Sequence, residues 1–216
     1  MILLIVRRGA RRLIGPASGW PGVAVLEPAG LSEPGWAHDP DRPQDGRLVA
    51  DGVICPARRL TAVITALDAV APGDLPHVVA GDRRFVASEM TAFLRSWLRT
   101  LACPVLDRPT VLALSGSAGD RTVWSRAAAE LGIPDRQATP VPKTRTRAVT
   151  VVAGRVIGPA PAPAGAAALA LARAAGVTAA HLSLTDDGQL CGAVPWWYRP
   201  TPAALRALLA RARELS

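Results

Sequence analysis

The chain opens with a short apolar run, Met1 to Arg7, which reads as a buried strand. Gly15 to Gly46 is rich in Gly, Pro and Asp and reads mostly as loop, with a short strand at Val23 to Leu26. Leu48, Val49, Val53 and Ile54 make Arg47 to Cys55 a strand interrupted by Asp51-Gly52. Between Arg58 and Val70 the apolar residues at 60, 63, 64 and 67 fall at helical spacing, so a helix is predicted there, ended by Pro72-Gly73-Asp74. The strongest helical stripe runs from Arg83 to Leu101. Phe85, Val86, Ala92, Phe93, Trp97, Leu98 and Leu101 lie on or near one face, and Cys103-Pro104 ends it.

Val105-Leu106 predicts a short strand, followed by a turn at Asp107 to Thr110. Asp120 suits the N-cap of a helix that runs through Leu131 and closes at Gly132-Ile133-Pro134. Arg145 to Val152 alternates, with Val149 and Val151 on one side and Arg147 and Thr150 near the other. Ala153-Gly154 turns this strand into Arg155 to Ile157. Pro159 to Pro163 reads as a linker and Ala164 to Ala175 as a helix stopped by Gly176. Val177 to Leu184 and Gln189 to Val194 flank Asp186-Asp187-Gly188, a strong hairpin signal. Thr201 caps a last helix with Pro202 at its first position and Arg211 and Arg213 in its last turn. Strands and helices mixed in this way predict an α/β or α+β fold.

Composition narrows the class. The 216 residues suffice for one large domain or two small ones. Half are apolar, enough for a core. Lys143 is the single lysine among 25 basic residues, and with 17 acidic ones the net charge is +8. Abundant Ala, Gly, Pro and Arg together point to a GC-rich coding bias, so part of the arginine excess is composition rather than selection for a polyanion. The apolar run from Met1 to Val6 is too short for a signal segment or a membrane span. Cys55, Cys103 and Cys191 are widely spaced, which gives neither a disulfide framework nor zinc spacing, and predicts reduced thiols in the cytoplasm. His38, His77 and His181 do not pair at ligand spacing, so no metal site is expected.

Candidate chemistry is sparse. No nucleophile elbow, Walker loop or dinucleotide fingerprint occurs in the first 135 residues. Ser115-Gly116-Ser117-Ala118-Gly119 precedes a helix N-terminus and offers backbone amides to a phosphate, but it equally serves as a plain connection. Trp196-Trp197-Tyr198 concentrates aromatic area, for binding or for closing the core. Arg145, Thr146 and Arg147 form a basic start to the alternating strand, either a solvated edge or an edge that reads anions.

The stretch from Phe85 to Pro134 carries a resemblance. Val86 to Leu98, Cys103-Pro104-Val105-Leu106-Asp107-Arg108-Pro109, Trp124, and Ala-Ala-Glu-Leu-Gly-Ile-Pro at 128–134 resemble the N-terminal domain of RimK-like ATP-grasp proteins. There a helix, a strand with an Asn-Arg-Pro-like turn, and an Ala-x-x-Leu-Gly-Ile-Pro helix recur; here Asp107 stands where Asn is common. Arg145 to Ile157, Leu169 to Ala180 and Thr185 to Gln189 resemble that family's later hairpin, helix and turn. The family's magnesium-binding Glu-x-Asn aligns with Val194 and Trp196, and its earlier Asp with His181. Neither Val nor Trp offers magnesium an oxygen ligand. Only ten residues separate Pro134 from Arg145, where the nucleotide-contacting central subdomain is expected. The resemblance therefore implies a truncated ATP-grasp protein without the ATP site, similar to the small peptide-binding proteins of crocagin biosynthesis.

On this reading residues 1–137 form a pre-ATP-grasp-like α/β domain. Residues 138–216 form a remnant of the ATP-grasp C-terminal α+β subdomain. The expected function is non-catalytic: to hold a ribosomal precursor peptide and present it to separate modifying enzymes, without a cofactor. The expected contacts are Arg145, Arg147, Val149, Trp196, Trp197 and Tyr198. A homodimer is expected to cover surface bared by the lost subdomain. A degenerate ATP-grasp ligase, or an accessory subunit of one, is the alternative. Nucleic-acid binding is disfavoured because the arginines are scattered and no known motif is present.

Overall fold

The computed structural model describes residues 1–10, 20–137 and 146–216. Arg145 and the first part of the Gly15 to Gly46 stretch lie outside the described residues. The chain divides into two compact units, residues 1–116 with 209–216, and residues 117–208.

The first unit is built on a four-stranded parallel sheet. Its strands are β1 (Ile2–Val6), β2 (Val23–Leu26), β5 (Ala62–Ala66) and β6 (Val105–Leu106), in the order β2-β1-β5-β6. Every residue of β1 and β5 is buried, as expected of central parallel strands covered on both faces. This corrects the helix predicted over Arg58 to Val70. A short 3-10 turn at Ala57–Arg59 leads instead into β5. In a strand buried on both faces the apolar run is continuous, so its positions also satisfy a helical template. The β-branched Val63, Ile64 and Thr65 favour the strand.

The interrupted strand at Arg47 to Cys55 is a hairpin of β3 (Arg47–Ala50) and β4 (Val53–Pro56), with Ala50 opposite Val53. Asp51 at φ 52° and Gly52 at φ 71° form its two-residue turn, where both central residues need positive φ.

Helix α1 (Arg83–Thr100) buries Ala87, Leu94, Trp97 and Leu98. Phe85, assigned to the apolar face from the sequence, is exposed because it sits in the first turn, ahead of the buried stripe. Arg108 closes the other end of α1. Its guanidinium donates to the carbonyls of Leu98, Arg99, Leu101 and Cys103 at 3.3–3.4 Å, where helix carbonyls lack intrahelical partners. Asp107 beside it has φ 52°, a conformation that Asn and Asp tolerate better than other side chains. Gly116 has φ 81°, and a Cβ there would lie 2.9 Å from both Asp107 Cβ and Asp107 O. The turn at 107 and the loop at 116 are thus in contact through a position that only glycine fits.

The second unit holds an antiparallel sheet of β7 (Thr146–Val152), β8 (Arg155–Ile157), β9 (Ala179–Thr185) and β10 (Leu190–Pro195), in the order β10-β9-β7-β8. Helices α2 (Arg121–Glu130) and α3 (Ala162–Ala174) share its core. Val149, Val151, Leu182, Leu184 and Leu190 meet Trp124, Ala127, Ala168 and Leu171. Asp120 caps α2 by accepting from Thr122 N at 2.9 Å. Helix α3 starts two residues earlier than the linker reading allowed. Pro163 sits in its first turn, where a missing N–H costs no helical hydrogen bond.

Helix α4 (Pro202–Glu214) has residues in both units, and Thr201 Oγ1 accepts from Ala204 N at 3.1 Å at its start. Among the described residues no helix is long and apolar enough to cross a membrane.

Candidate functional site

Register divides the second unit's sheet into two faces. Val149 lies opposite Leu182, Val151 opposite Ala180 and Ala193 opposite Leu182, which forms the core face. Ala148 and Gly192 each lie opposite Ser183, while Thr150 and Val194 each lie opposite His181. These residues form the other face, which carries a groove of about 410 Å³. Arg121, Gln137, Tyr198 and Arg199 complete its lining.

The β9–β10 turn is held by its own side chains. Thr185 Oγ1 donates to Asp187 and accepts from Gln189 N at 2.9 Å. Arg147 Nε donates to Asp186 at 2.7 Å, which ties the start of β7 to the turn. Arg147 pairs with Leu184 on the core side of the sheet. That corrects the placement opposite Val149 and Val151: positions 147, 149 and 151 differ by two, and side chains two apart share a face.

His181 organises the open face. It is nearly buried. Its Nε2 lies 2.7 Å from Trp196 O and 2.9 Å from Arg199 O, so this nitrogen carries the proton and donates to both carbonyls. Its Nδ1 then accepts from the Thr150 hydroxyl at 2.8 Å. Burial pushes the imidazole pKa below its ordinary value; the two carbonyls oppose this and the Arg199 charge adds to it. The neutral ring therefore latches the Trp196–Tyr198 turn to the sheet.

The predicted contact residues are distributed unevenly. Val149 is 1% exposed and Trp196 4%, so both side chains belong to the interior. Trp197 stacks on Tyr198 with ring centroids 4.5 Å apart, and Tyr198 is 58% exposed at the groove. Tyr198 borders the open face while Arg147 starts on the opposite one, so the structure does not join them in one site. Arg145 lies outside the described residues. Arg121, Gln137, Ser183 and Arg199 were missed from the sequence. Arg199 follows the aromatic triplet directly, which was the available signal.

Two hydrogen bonds hold the loop at Ser115 to Gly119. The Ser115 hydroxyl donates to Asp68, and Ala118 O accepts from Trp124 Nε1 at 2.8 Å. It leads into the N-terminus of α2.

The positions that the resemblance assigns to magnesium ligands do come together, since Val194 lies opposite His181 and Trp196 O accepts from it. Their chemistry does not fit the ion. Magnesium takes oxygen ligands. Val194 has none on its side chain, the Trp196 side chain is interior, and both His181 nitrogens are engaged. No group of three or more His, Cys, Asp or Glu able to hold a metal occurs among the described residues.

No family model matches the sequence, and no curated protein matches it. Solved structures do. The macrocyclase MdnC of Microcystis aeruginosa, bound with its precursor peptide MdnA, superposes with TM-score 0.64 at 13% identity, over 100% of this chain and 99% of that one. The ATP-grasp ligase PsnB, complexed with a precursor peptide and AMPPNP, gives 0.61 at 12%, over 98% and 97%. The macrocyclase MdnB of Microcystis aeruginosa gives 0.53 at 14%, over 99% and 98%. At such identities the likeness speaks to architecture alone, and it establishes that this chain has an ATP-grasp-like α/β fold.

Proposed function

We propose that this protein is a non-catalytic binder of a ribosomal precursor peptide, which it presents to separate modifying enzymes in natural-product biosynthesis. What carries this reading is that the positions which the resemblance assigns to magnesium ligands hold His181, Val194 and Trp196, on a fold whose solved neighbours include proteins captured with precursor peptides. On this reading residues 1–137 are the pre-ATP-grasp-like domain. Residues 138–216 are the truncated ATP-grasp C-terminal subdomain of this reading, which rests on the short sequence interval from Pro134 to Arg145. The small peptide-binding proteins of crocagin biosynthesis are the functional type it resembles.

The proposed peptide contacts fall in two places, Trp197 and Tyr198 by the open face and Arg145 and Arg147 at the start of β7, with Val149 and Trp196 as interior support. A self-associated dimer, exposing less of Val79, Phe85, Val111 and Leu112, is part of the proposal.

The test first seeks a short precursor reading frame beside this gene and takes its peptide as the ligand. Arg145→Ala, Arg147→Ala and Tyr198→Ala are each measured for melting temperature and for peptide affinity by fluorescence anisotropy. Loss of the Tyr198 anchor is expected to weaken binding by about 2 kcal/mol, roughly thirtyfold, with melting unchanged. If all three variants keep full affinity, the contacts lie elsewhere. The absence of peptide binding by the unmodified protein contradicts the function.

A further inference from the structure

The groove on the open sheet face is chemically one-sided. Arg121 and Arg199 line it, and no Asp or Glu does. Neither arginine is in an ion pair among the described residues. The Arg121 charge also reaches Asp135. Burial alone would raise that carboxyl, but hydrogen bonds from Ser125 and from the Gln137 backbone, together with Arg121, hold it below its ordinary value. The remaining polar lining can donate: the hydroxyls of Ser183 and Tyr198 and the side-chain amide of Gln137. The floor is cut low by Ala148 and Gly192. A volume near 410 Å³ falls within the roughly 300–1,000 Å³ usual for ligand sites.

We infer that this groove binds the carboxylate side chains of an acidic peptide segment, with Arg121 and Arg199 as the charge partners and Ser183, Tyr198 and Gln137 as further donors. The inference deepens the peptide-binding reading and rests on it for the natural occupant. Arginine suits the role because its planar fork meets a carboxylate with two parallel hydrogen bonds. His181 stays neutral and latched to the Trp196 and Arg199 carbonyls, so it shapes the wall next to Arg199 rather than adding charge. The segment requires no metal, in keeping with a site whose strand positions offer magnesium no carboxylate.

The probe is a fluorescein-labelled peptide of five Glu-Ala repeats, with five Gln-Ala repeats as the uncharged control. Binding is read by anisotropy at about 50 mM salt, where exposed charges are only partly screened. The Arg121→Gln/Arg199→Gln variant is compared with Arg58→Gln/Arg59→Gln, which removes the same charge from exposed residues of the first unit. Ala148→Trp plugs the groove without changing charge.

The groove double variant and Ala148→Trp are each expected to weaken Glu-Ala binding about tenfold or more, and the control pair by less than about threefold. All variants should melt as the unmodified protein does. Equal weakening by both arginine pairs means that net charge alone attracts the probe, and overturns the inference. So does unchanged binding in the groove variants, or displacement of the probe by ATP with magnesium, which would assign the groove to a nucleotide. The natural peptide separates the two claims. If it binds but ignores the groove variants, the groove inference fails alone. If Glu-Ala binding follows the groove while the natural peptide does not bind, the function fails alone.

Discussion

Replacing His181 by alanine removes the latch between the sheet and the Trp196–Tyr198 turn. The imidazole is 7% exposed and makes three polar contacts, to Thr150 Oγ1, Trp196 O and Arg199 O. At about 0.5–1.5 kcal/mol net per hydrogen bond, these contacts contribute about 1.5–4.5 kcal/mol. The cavity left by the ring adds to the cost, and water entering beside the carbonyls recovers part of it. The balance is a loss of about 3 kcal/mol. For a chain of this length each kcal/mol moves the melting temperature by about 2–4 °C, so His181→Ala should melt about 6–12 °C lower. Thermal unfolding followed by circular dichroism measures the shift, and tryptophan emission should move to the red as Trp196 becomes wet. The pH dependence carries a second signature. The folded imidazole has a lowered pKa, so as pH falls below about 6.5 the unfolded chain takes up the proton first. Stability therefore declines from that point down to the folded pKa, and the gap between the parent and His181→Ala should narrow over the same window. A loss below about 1 kcal/mol, or a gap that widens on acidification, refutes the latch.

Further predictions concern the elements around the site. Arg108→Ala should cost about 1–2 kcal/mol in a urea melt, because four carbonyls at the end of α1 lose one shared donor; a neutral result would show that water replaces it fully. Gly116→Ala should destabilise the chain by about 1–3 kcal/mol, since the added Cβ meets Asp107 backbone at a positive φ; unchanged melting would contradict the close approach. Light scattering at low micromolar concentration should give twice the chain mass of 22.5 kDa, and a purely monomeric species contradicts the proposed dimer.

Much of the second unit was legible because its signals are local. The Asp186-Asp187-Gly188 turn marked the β9–β10 hairpin, but counting outward from the Leu184–Leu190 pair would set residue 181 opposite 193; a register shift between Leu190 and Gly192 brings Val194 opposite His181 instead, and no local pattern announces it. Caps at Asp120 and Thr201 marked helix starts for the same reason: each is decided within a single turn of chain. The central strand β5 was misread because burial on both faces erases periodicity, and its parallel neighbours β1 and β6 are about sixty and forty residues away in sequence. Side-chain burial at the candidate site was equally hard to read. Trp196 and Tyr198 are two residues apart and equally aromatic, yet a 3-10 turn sends one inward and the other into the groove. Arg121 reaches that groove from a helix start sixty residues upstream of His181, a proximity that no local pattern encodes.

The central claim is that this ATP-grasp-like fold binds peptide without using nucleotide. Isothermal titration of a precursor peptide encoded beside this gene, should one be found there, with and without ATP and magnesium, tests it most directly. The account predicts heat from a complex with Kd on the order of micromolar, the same in both titrations, no heat from ATP and magnesium alone, and no ADP in the cell afterwards. Peptide binding that requires ATP and magnesium, or ADP formed in the presence of peptide, would contradict it and make the protein a ligase.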